Sequence, residues 1–315
     1  MHYWQHGAIG PFVLEAPMVL GHESAGTVVA VGAAVTALRV GDRVALEPGV
    51  PCRLCGQCKG GAYNLCGAMR FAATPPHDGT LARFFVLPAD LCVPLPPHVT
   101  SAEGALAEPL AVAVHVCRQA RVRHGSRVVI FGAGPVGLLC TAVARAFGAR
   151  AAVAVDVNPL RLAFAAAYAA TGVYDARDAR DAAATAAAIV SQQCAGEPAD
   201  VAIDASGAES CIQTAVHVLR RGGTLVQAGM GRDLVAFPIV AVAAKELTVR
   251  GSFRYAHGDY ALAVDLIASG QVDVKKLVTS RFAFGDAERA FEETLRGTGL
   301  KVLIEGPETR QCEMQ

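Results

Sequence analysis

Two hydrophobic patterns follow each other along the chain, and the change falls near residue 100. In the first hundred residues, apolar runs such as 26–32 and 41–49 are bounded by glycines, as is typical of short strands joined by turns. From Arg127 onward, short apolar runs alternate with longer stretches of helical periodicity. This alternation predicts an α/β fold, in which βαβ units build a doubly wound parallel sheet and a β-rich part precedes it.

The individual elements follow from the same patterns. The runs 84–88 and 91–99 close the β-rich part, and a helix is predicted from Ser101, with Ser101 as its N-cap and Gly104 as its weak point. The later runs are predicted as strands at 127–131, 151–156, 199–207, 223–230, 276–284 and 301–306, and as helices at 136–149, 161–170, 182–190, 212–223 and 259–270.

Composition narrows the class of protein. The chain has 315 residues, of which 53% are hydrophobic, so it has enough apolar material for two cores. Its 28 basic and 28 acidic side chains balance, which disfavours nucleic acid or an anionic membrane as a partner, and 6% aromatics disfavour a base-stacking surface. There is no run of 18 apolar residues and no signal-peptide pattern at the start, so we expect a cytoplasmic protein.

Four of the ten cysteines fall within fifteen residues. Cys52, Cys55, Cys58 and Cys66 have the spacing C-x2-C-x2-C-x7-C, and four thiolates so placed can surround one tetrahedral Zn²⁺. A shell filled by four thiolates has no open position, so the predicted site is structural. An iron–sulfur cluster, disulfides or simple burial are the alternatives. The other six are interpreted as small apolar residues or surface thiols: Cys92, Cys117, Cys140, Cys194, Cys211 and Cys312.

A glycine-rich turn joins the strand 127–131 to its helix. Gly132, Gly134 and Gly137 form G-x-G-x-x-G in the strand–turn–helix context that binds a dinucleotide pyrophosphate at a helix N-terminus. Asp156 ends the next strand, where a carboxylate accepts hydrogen bonds from ribose hydroxyls and repels a 2′-phosphate. This predicts NAD rather than NADP, although Arg161 could receive a phosphate. A glycine turn in a plain α/β fold is the alternative.

A second group of metal-ligand residue types is dispersed along the first 110 residues. His22 and Glu23 follow Gly21 in a turn, and both are residue types that bind zinc. Glu108 lies before Pro109 in an apolar stretch, where an unpartnered carboxylate would be costly. A His-Glu pair is more often a surface turn, so the spacing alone leaves this site open.

The order of these motifs resembles that of the zinc-dependent medium-chain dehydrogenases. The GHE turn, the four-cysteine lobe, the EP-containing helix and GAGPVG occur in the family's order. The longer strings are similar to the polyol branch, the sorbitol and xylitol dehydrogenases, from Met1 to about residue 302: HYWQHGAIGPF, PMVLGHESAGTV, GDRVALEPG, FAATPPHDGTLARFF, EGALAEPLAVAVH and GSFRY.

The resemblance implies a GroES-like catalytic domain at 1–104, a Rossmann NAD-binding domain at 105–254 and a return to the catalytic domain at 255–315. It implies oxidation of xylitol to D-xylulose, with the C2 hydride passing to NAD, or the same reaction on sorbitol or L-arabinitol. It further implies a catalytic zinc on His22, Glu23 and Glu108, and a homo-tetramer. The remaining implied sites are NAD contacts at Val136, Asp156, Arg161, Ala228, Gly229, Met230, Ser252, Phe253 and Arg254, and substrate contacts at Tyr3, Phe71, Arg254 and Tyr255.

One feature of the family is absent from the sequence. Its members carry two features ahead of the HYW string, namely a cysteine ligand of the catalytic zinc and the first strands of the catalytic domain. In this sequence Met1 stands directly before HYW. We therefore expect a chain that is short at its N-terminus, with an incomplete catalytic zinc site and little activity. A protein that binds NAD and structural zinc without catalysis is the alternative from another class.

Overall fold

The computed structural model describes residues 2–10, 12–179 and 181–307, and Cys312 lies outside them. The strands are short in the first hundred residues and longer in the parallel sheet. In chain order they are β1 (Ala8–Ile9), β2 (Phe12–Val13), β3 (Ser24–Thr27), β4 (Arg43–Leu46), β5 (Gly49–Val50), β6 (Arg70–Phe71), β7 (Cys92–Pro94), β8 (Arg127–Phe131), β9 (Ala151–Asp156), β10 (Gly172–Asp175), β11 (Ala199–Asp204), β12 (Leu219–Gln227), β13 (Thr248–Gly251), β14 (Val278–Phe282) and β15 (Lys301–Ile304).

Most of the helices alternate with the strands of the parallel sheet. Among the described residues, no helix has both the length and the apolar character needed to cross a membrane. In chain order the helices are α1 (His2–His6), α2 (Gly56–Lys59), α3 (Ser101–Ala105), α4 (Ala107–Gln119), α5 (Pro135–Ala146), α6 (Pro159–Tyr168), α7 (Ala182–Gln193), α8 (Glu209–Val218), α9 (Ile239–Ala244), α10 (Asp259–Ala268) and α11 (Ala287–Arg296).

The chain forms two compact units. One comprises the residues up to Glu108 together with those from Asp273 onward, and the other comprises Pro109–Val272. The second boundary lies later than the expected residue 255, because α10 packs inside the second unit. The buried carboxylate of Asp259 lies 2.7 Å from His115 Nδ1 and 2.5 Å from Arg118 Nη1, and these contacts fasten α10 to α4.

The second unit is built on a parallel six-stranded sheet in the order β10-β9-β8-β11-β12-β13. Its central strands are almost fully buried, as continuous apolar runs require when helices cover both faces. The chain runs outward from β8 to β10 and then returns to the other side of β8 with β11. This reversal places a crevice at the carboxyl ends of β8 and β11, and the predicted doubly wound fold is confirmed.

The first unit contains a three-stranded antiparallel sheet, β3-β4-β7, and three two-stranded pairs, β1-β2, β5-β6 and β14-β15. Helix α3 lies against β3 and β4. A β-carbon at Gly104 would come within 2.5 Å of Leu95 Cδ1 and 3.0 Å of Ala25 Cβ, so glycine permits this close packing. The weak point that we predicted in this helix is thus a packing position.

Several predicted boundaries are wrong. The N-cap of α3 is Thr100, whose hydroxyl forms a capping box with Glu103, rather than Ser101. Strand β3 ends at Thr27, so the run 28–32 lies outside it, and the run 84–88 forms no strand. Helix α8 ends at Val218, and the residues up to the expected glycine stop belong to β12.

Lys245 closes the C-terminal end of α8. Its Nζ donates hydrogen bonds to the carbonyl oxygens of Val216, His217 and Leu219 at 3.1, 2.8 and 2.9 Å. Val216 and His217 are in the last turn of the helix, where carbonyl oxygens have no intrahelical donors. Burial, and then the charge of the neighbouring Arg221, lower the pKa of Lys245 from its ordinary value. Hydrogen bonds to the three carbonyl oxygens favour the charged form and so act against this shift.

We expect Lys245→Met to lower the free energy of unfolding of the second unit by about 2 kcal/mol, because the apolar chain leaves the three carbonyls without their donor. Urea unfolding followed by circular dichroism measures this loss. Lys276→Met is the control, since that side chain is 60% exposed and lies 3.7 Å from Asp273. The control is expected to change the free energy by less than about 0.5 kcal/mol. An equal loss in both variants would contradict the capping role.

Candidate functional site

The four clustered cysteines converge in the loop that carries α2. Cys58 Sγ lies 3.8 Å from Cys52 Sγ and 3.5 Å from Cys55 Sγ, and the backbone N–H of Cys52 lies 3.4 Å from Cys66 Sγ. All four are free cysteines, and the sulfurs are too far apart for a disulfide, so that alternative is wrong. Four Zn–S bonds of about 2.3 Å in a tetrahedron would separate the sulfurs by about 3.8 Å. The donor set therefore fits one zinc ion.

Backbone donors prepare the cluster for a cation. Hydrogen bonds from the N–H groups of Cys55 and Leu54 lower the pKa of the Cys52 thiol to about 6. Burial, assisted by the thiol of Cys55, raises the pKa of Cys58 to about 12. The lowered pKa favours the thiolate at Cys52, and the raised pKa favours the neutral thiol at Cys58 while no cation is bound. Metal binding here releases protons, so its affinity falls as the pH is lowered.

A second candidate metal site forms in the same unit, where His22, Glu23 and Glu108 meet. Their ligand atoms all lie within 4.8 Å of one another. Glu108 is in the first turn of α4 and is 4% exposed, while His22 and Glu23 directly precede β3. Three protein ligands with one open position are the usual first shell of a catalytic zinc. The expected incompleteness of this site stays a prediction that zinc content can test.

Gly21 shapes the turn that brings His22 and Glu23 to this site. Its φ is +91°, and a β-carbon would lie 3.1 Å from the backbone nitrogen of Leu81. The approach is close because residues 79–81 form backbone hydrogen bonds with residues 19–21. A larger residue would be strained at this φ and would press against Leu81, so the glycine permits the turn that carries the His-Glu pair.

Lys301 neutralises one of the two carboxylates. This residue begins β15, and its Nζ forms an ion pair with Glu23 Oε2. Burial acts to raise the pKa of Glu23, but the charge of Lys301 and then that of His22 outweigh it, so the pKa is lowered from its ordinary value. Glu23 is consequently an anionic ligand at neutral pH, and the contact also restricts where its carboxylate can lie.

The predicted substrate residues are distributed over both units. In the first unit, the buried ring of Phe71 lies 5.6 Å from the ring of His22, and Tyr3 is 9% exposed within α1. In the second unit, the guanidinium of Arg254 lies 4.7 Å from the centre of the Phe253 ring, and Tyr255 is 2% exposed against Tyr260. Phe71 is thus brought next to a metal-ligand candidate by a contact inside one unit.

The glycine-rich turn has the form that a pyrophosphate requires. A β-carbon at Gly137 would lie 1.8 Å from the carbonyl oxygen of Gly132, so glycine allows α5 to pack against β8. A β-carbon at Gly134 would meet no atom within 4 Å, and this leaves open space at the start of the helix. Gly134 is the N-cap of α5 and provides no capping side chain, so the helix dipole and first-turn N–H groups, including that of Val136, can receive an anion.

Asp156 has a structural role beside its predicted one. Its Oδ2 accepts a hydrogen bond from the backbone N–H of Ala133 at 2.6 Å, and its Oδ1 accepts one from that of Asn158 at 2.8 Å. The carboxylate therefore ties the glycine-rich turn to the end of β9. Each oxygen retains a lone pair, so acceptance from ribose hydroxyls is compatible with these contacts.

The other predicted cofactor residues lie at the same edge of the sheet. Arg161 lies in the first turn of α6, which follows β9. Ala228, Gly229 and Met230 follow β12, and Ser252, Phe253 and Arg254 follow β13. The carboxyl ends of parallel strands meet at one edge, so the structure brings all these segments to the crevice edge.

Sequence reasoning missed two residues that organise this edge. Asp204 is fully buried at the end of β11, and its carboxylate accepts hydrogen bonds from the Ser206 hydroxyl and the Gly207 N–H at 2.6 and 2.8 Å. Gln227 Nε2 donates to Asp204 Oδ2 at 2.6 Å and to the carbonyl of Gly229 at 2.8 Å. An acid at the end of an apolar run, two residues before a Ser-Gly pair, was the available signal.

Comparison with known proteins agrees with both units. Residues 1–97 match the alcohol dehydrogenase GroES-like domain, and residues 135–269 match the zinc-binding dehydrogenase family. The chain belongs to the zinc-binding dehydrogenases. It is 59% identical to the probable D-xylulose reductase A of Aspergillus terreus, over 98% of this chain and 87% of that protein. It is 58% identical to the D-xylulose reductase A of Aspergillus niger, over 97% of this chain and 85% of that one.

Solved structures show the same fold. The L-idonate 5-dehydrogenase of Escherichia coli is 33% identical and superposes with a TM-score of 0.87, over 96% of this chain and 86% of that one. The 2R,3R-butanediol dehydrogenase of Bacillus subtilis is 28% identical with a TM-score of 0.82, over 92% and 81%.

Proposed function

We propose that this chain is an NAD-dependent, zinc-dependent polyol dehydrogenase that interconverts xylitol and D-xylulose. The observation that carries the proposal is the 59% identity, over 98% of the chain, to a protein named as a D-xylulose reductase. The balanced reaction removes a hydride from C2 of xylitol and a proton from its hydroxyl, and yields D-xylulose, NADH and a proton. NAD would supply the hydride acceptor, and Gly132, Gly134, Gly137 and Asp156 would hold it.

The first unit would provide the hydroxyl-activating site. A zinc ion bound there would act as a Lewis acid that lowers the pKa of the substrate hydroxyl. His22 would bind it through a ring nitrogen, and Glu23 and Glu108 through carboxylate oxygens that offset its charge. Lys301 holds Glu23 in place, and the ring of Phe71 beside His22 supplies an apolar wall. The four-cysteine lobe would hold a second, structural zinc.

The assay that tests this function is NADH formation with xylitol, sorbitol and L-arabinitol in turn. We expect the highest kcat/KM with xylitol. A chain that binds NAD and about one zinc ion but forms no NADH with any polyol would instead be a non-catalytic binding protein. A preference for another polyol would overturn the substrate assignment and leave the reaction class in place.

We expect the chain to bind NAD at least tenfold more tightly than NADP, which corresponds to about 1.4 kcal/mol. Asp156→Ala should narrow this gap chiefly by weakening NAD, because the ribose hydroxyls lose their acceptor and the turn loses the contact to Ala133. Fluorescence titration with each cofactor measures both affinities. The control is Asp175→Ala. Asp175 lies opposite Asp156 on the neighbouring strand β10, but its carboxylate forms an ion pair with Arg177. Equal affinities for NAD and NADP in the parent would contradict the cofactor assignment.

Two further expectations rest on family resemblance and chemistry. We propose a cytoplasmic location, because a zinc–thiolate cluster persists where the thiol pool is reduced. A homo-tetramer stays a prediction, and sedimentation of the purified protein tests it.

A further inference from the structure

A basic cavity of about 400 Å³ lies in the second unit at the amino ends of β8, β11, β12 and β13. The glycine-rich turn lies at the carboxyl ends, which is the opposite edge of the sheet. The cavity is therefore separate from the predicted dinucleotide site, and nothing in the proposed reaction uses it. Its lining combines the segment after α4 with the starts of these strands: Ala120, Arg121, Arg123, His124, Gly125, Ser126, Asp200, Val201, Arg220, Gly222, Thr224 and Thr248.

The lining carries an excess of positive charge. Three arginines and one aspartate face the cavity, so the formal charge is +2 with His124 neutral. Both oxygens of Asp200 are already engaged, because Oδ1 accepts from Arg220 Nε at 2.6 Å and Oδ2 accepts from the backbone N–H of Arg127 at 2.9 Å. Asp200 thus positions Arg220. Within the described part of the chain, neither Arg121 nor Arg123 forms an ion pair with a carboxylate.

The backbone at Arg121 gives an independent indication. Its φ is +55°, and its N–H and that of Val122 bond to the carbonyls of Arg118 and Cys117 at 3.0 Å each, which is the hydrogen-bond pattern of a helix C-terminus with a left-handed residue. Glycine is the usual residue there, because a side chain in this conformation is strained. Here the strained position instead carries an arginine, and that residue lines the cavity.

We propose that this cavity is a binding site for a small phosphate-bearing molecule, held mainly by Arg121 and Arg123. A phosphate ester carries close to two negative charges at neutral pH, which matches the excess of the lining. Guanidinium groups bind phosphate through paired hydrogen bonds, and the volume is in the range of small-molecule sites. The lining also includes Gly125, with φ +81°, which has no side chain, and Thr224 and Thr248, whose hydroxyls can donate hydrogen bonds to a phosphate oxygen.

Calorimetric titration tests the site with saturating NAD present, so that the dinucleotide crevice is filled. The probes are ribose 5-phosphate, inorganic phosphate and unphosphorylated ribose. We expect both phosphate compounds to bind and ribose to give no signal. Tighter binding of the ester would identify an esterified ligand, whereas equal binding would identify phosphate alone as the recognised group. If neither phosphate compound binds at millimolar concentration, the proposal is wrong.

Variants locate the binding. Arg121→Gln with Arg123→Gln should weaken phosphate binding at least tenfold and leave NAD affinity unchanged. Arg123→Gln alone, which leaves the left-handed residue untouched, keeps the test decisive if the double variant is unstable. Arg177→Gln is the control, since Arg177 follows β10 and pairs with Asp175 at the other end of the sheet. Parental phosphate affinity in Arg123→Gln and in the folded double variant would place the binding elsewhere and overturn the proposal.

Discussion

Cys55→Ser is expected to release the structural metal, lowering the zinc content by one equivalent per chain. Cys55 Sγ lies 3.5 Å from Cys58 Sγ, and the Cys55 N–H donates to Cys52 Sγ at 3.4 Å, so its thiol is a central member of the cluster. A serine hydroxyl is a far weaker zinc ligand than a thiolate. Structural zinc in small protein sites contributes roughly 10–16 kcal/mol of binding free energy, so even partial loss should unfold the lobe.

Metal analysis and thermal unfolding of parent and variant measure this effect. Cys92→Ser is the matched control, because Cys92 is a free cysteine of the same unit whose thiol bonds to the carbonyl of Pro88 at 3.7 Å. It should keep the parental zinc content. Parental zinc in Cys55→Ser would show that the cluster is not a metal site, and a loss of iron in place of zinc would support the cluster alternative.

In a chain that holds two zinc ions, contrary to the expected incomplete site, His22→Ala is expected to remove the second ion and to lower kcat/KM for xylitol at least about 1,000-fold, or roughly 4 kcal/mol of transition-state stabilisation. The remaining ligand candidates, Glu23 and Glu108, would then be two carboxylates with ligand atoms within 4.8 Å of each other and no imidazole ligand beside them. NAD affinity should be unchanged, because all the predicted NAD residues belong to the other unit.

Three measurements separate the possible causes of lost activity. Zinc content reports the metal, NADH formation reports turnover, and NAD titration reports the second unit. His98→Ala removes an exposed histidine of the same unit and should keep both zinc and activity within about twofold of the parent. If His22→Ala retained two zinc ions and parental turnover, the metal site assigned to these residues would be wrong.

The elements that the sequence predicted well are those buried on both faces. Strands β8, β9 and β11 are continuous apolar runs because helices cover both sides of the sheet. The two edge strands, β10 and β13, were missed. Each has one neighbour and is partly exposed, so its pattern is short and mixed. Helix α11 was missed for a related reason, since it is mostly polar and contributes only Ala290 to the buried core.

The sequence by itself determined the class of fold, the spacing of the four clustered cysteines and the glycine-rich turn, because these depend on residues close together in the chain. Neighbouring cysteines must meet, and a strand–turn–helix is a local structure. Apart from the zinc ligands that the family resemblance had implied, the tertiary structure decided which distant residues meet. Glu108 joins His22 and Glu23, Lys301 reaches Glu23, and Asp156 holds the turn at Ala133. Such contacts depend on how separate elements pack, and hydrophobic periodicity along the chain carries no information about those pairings.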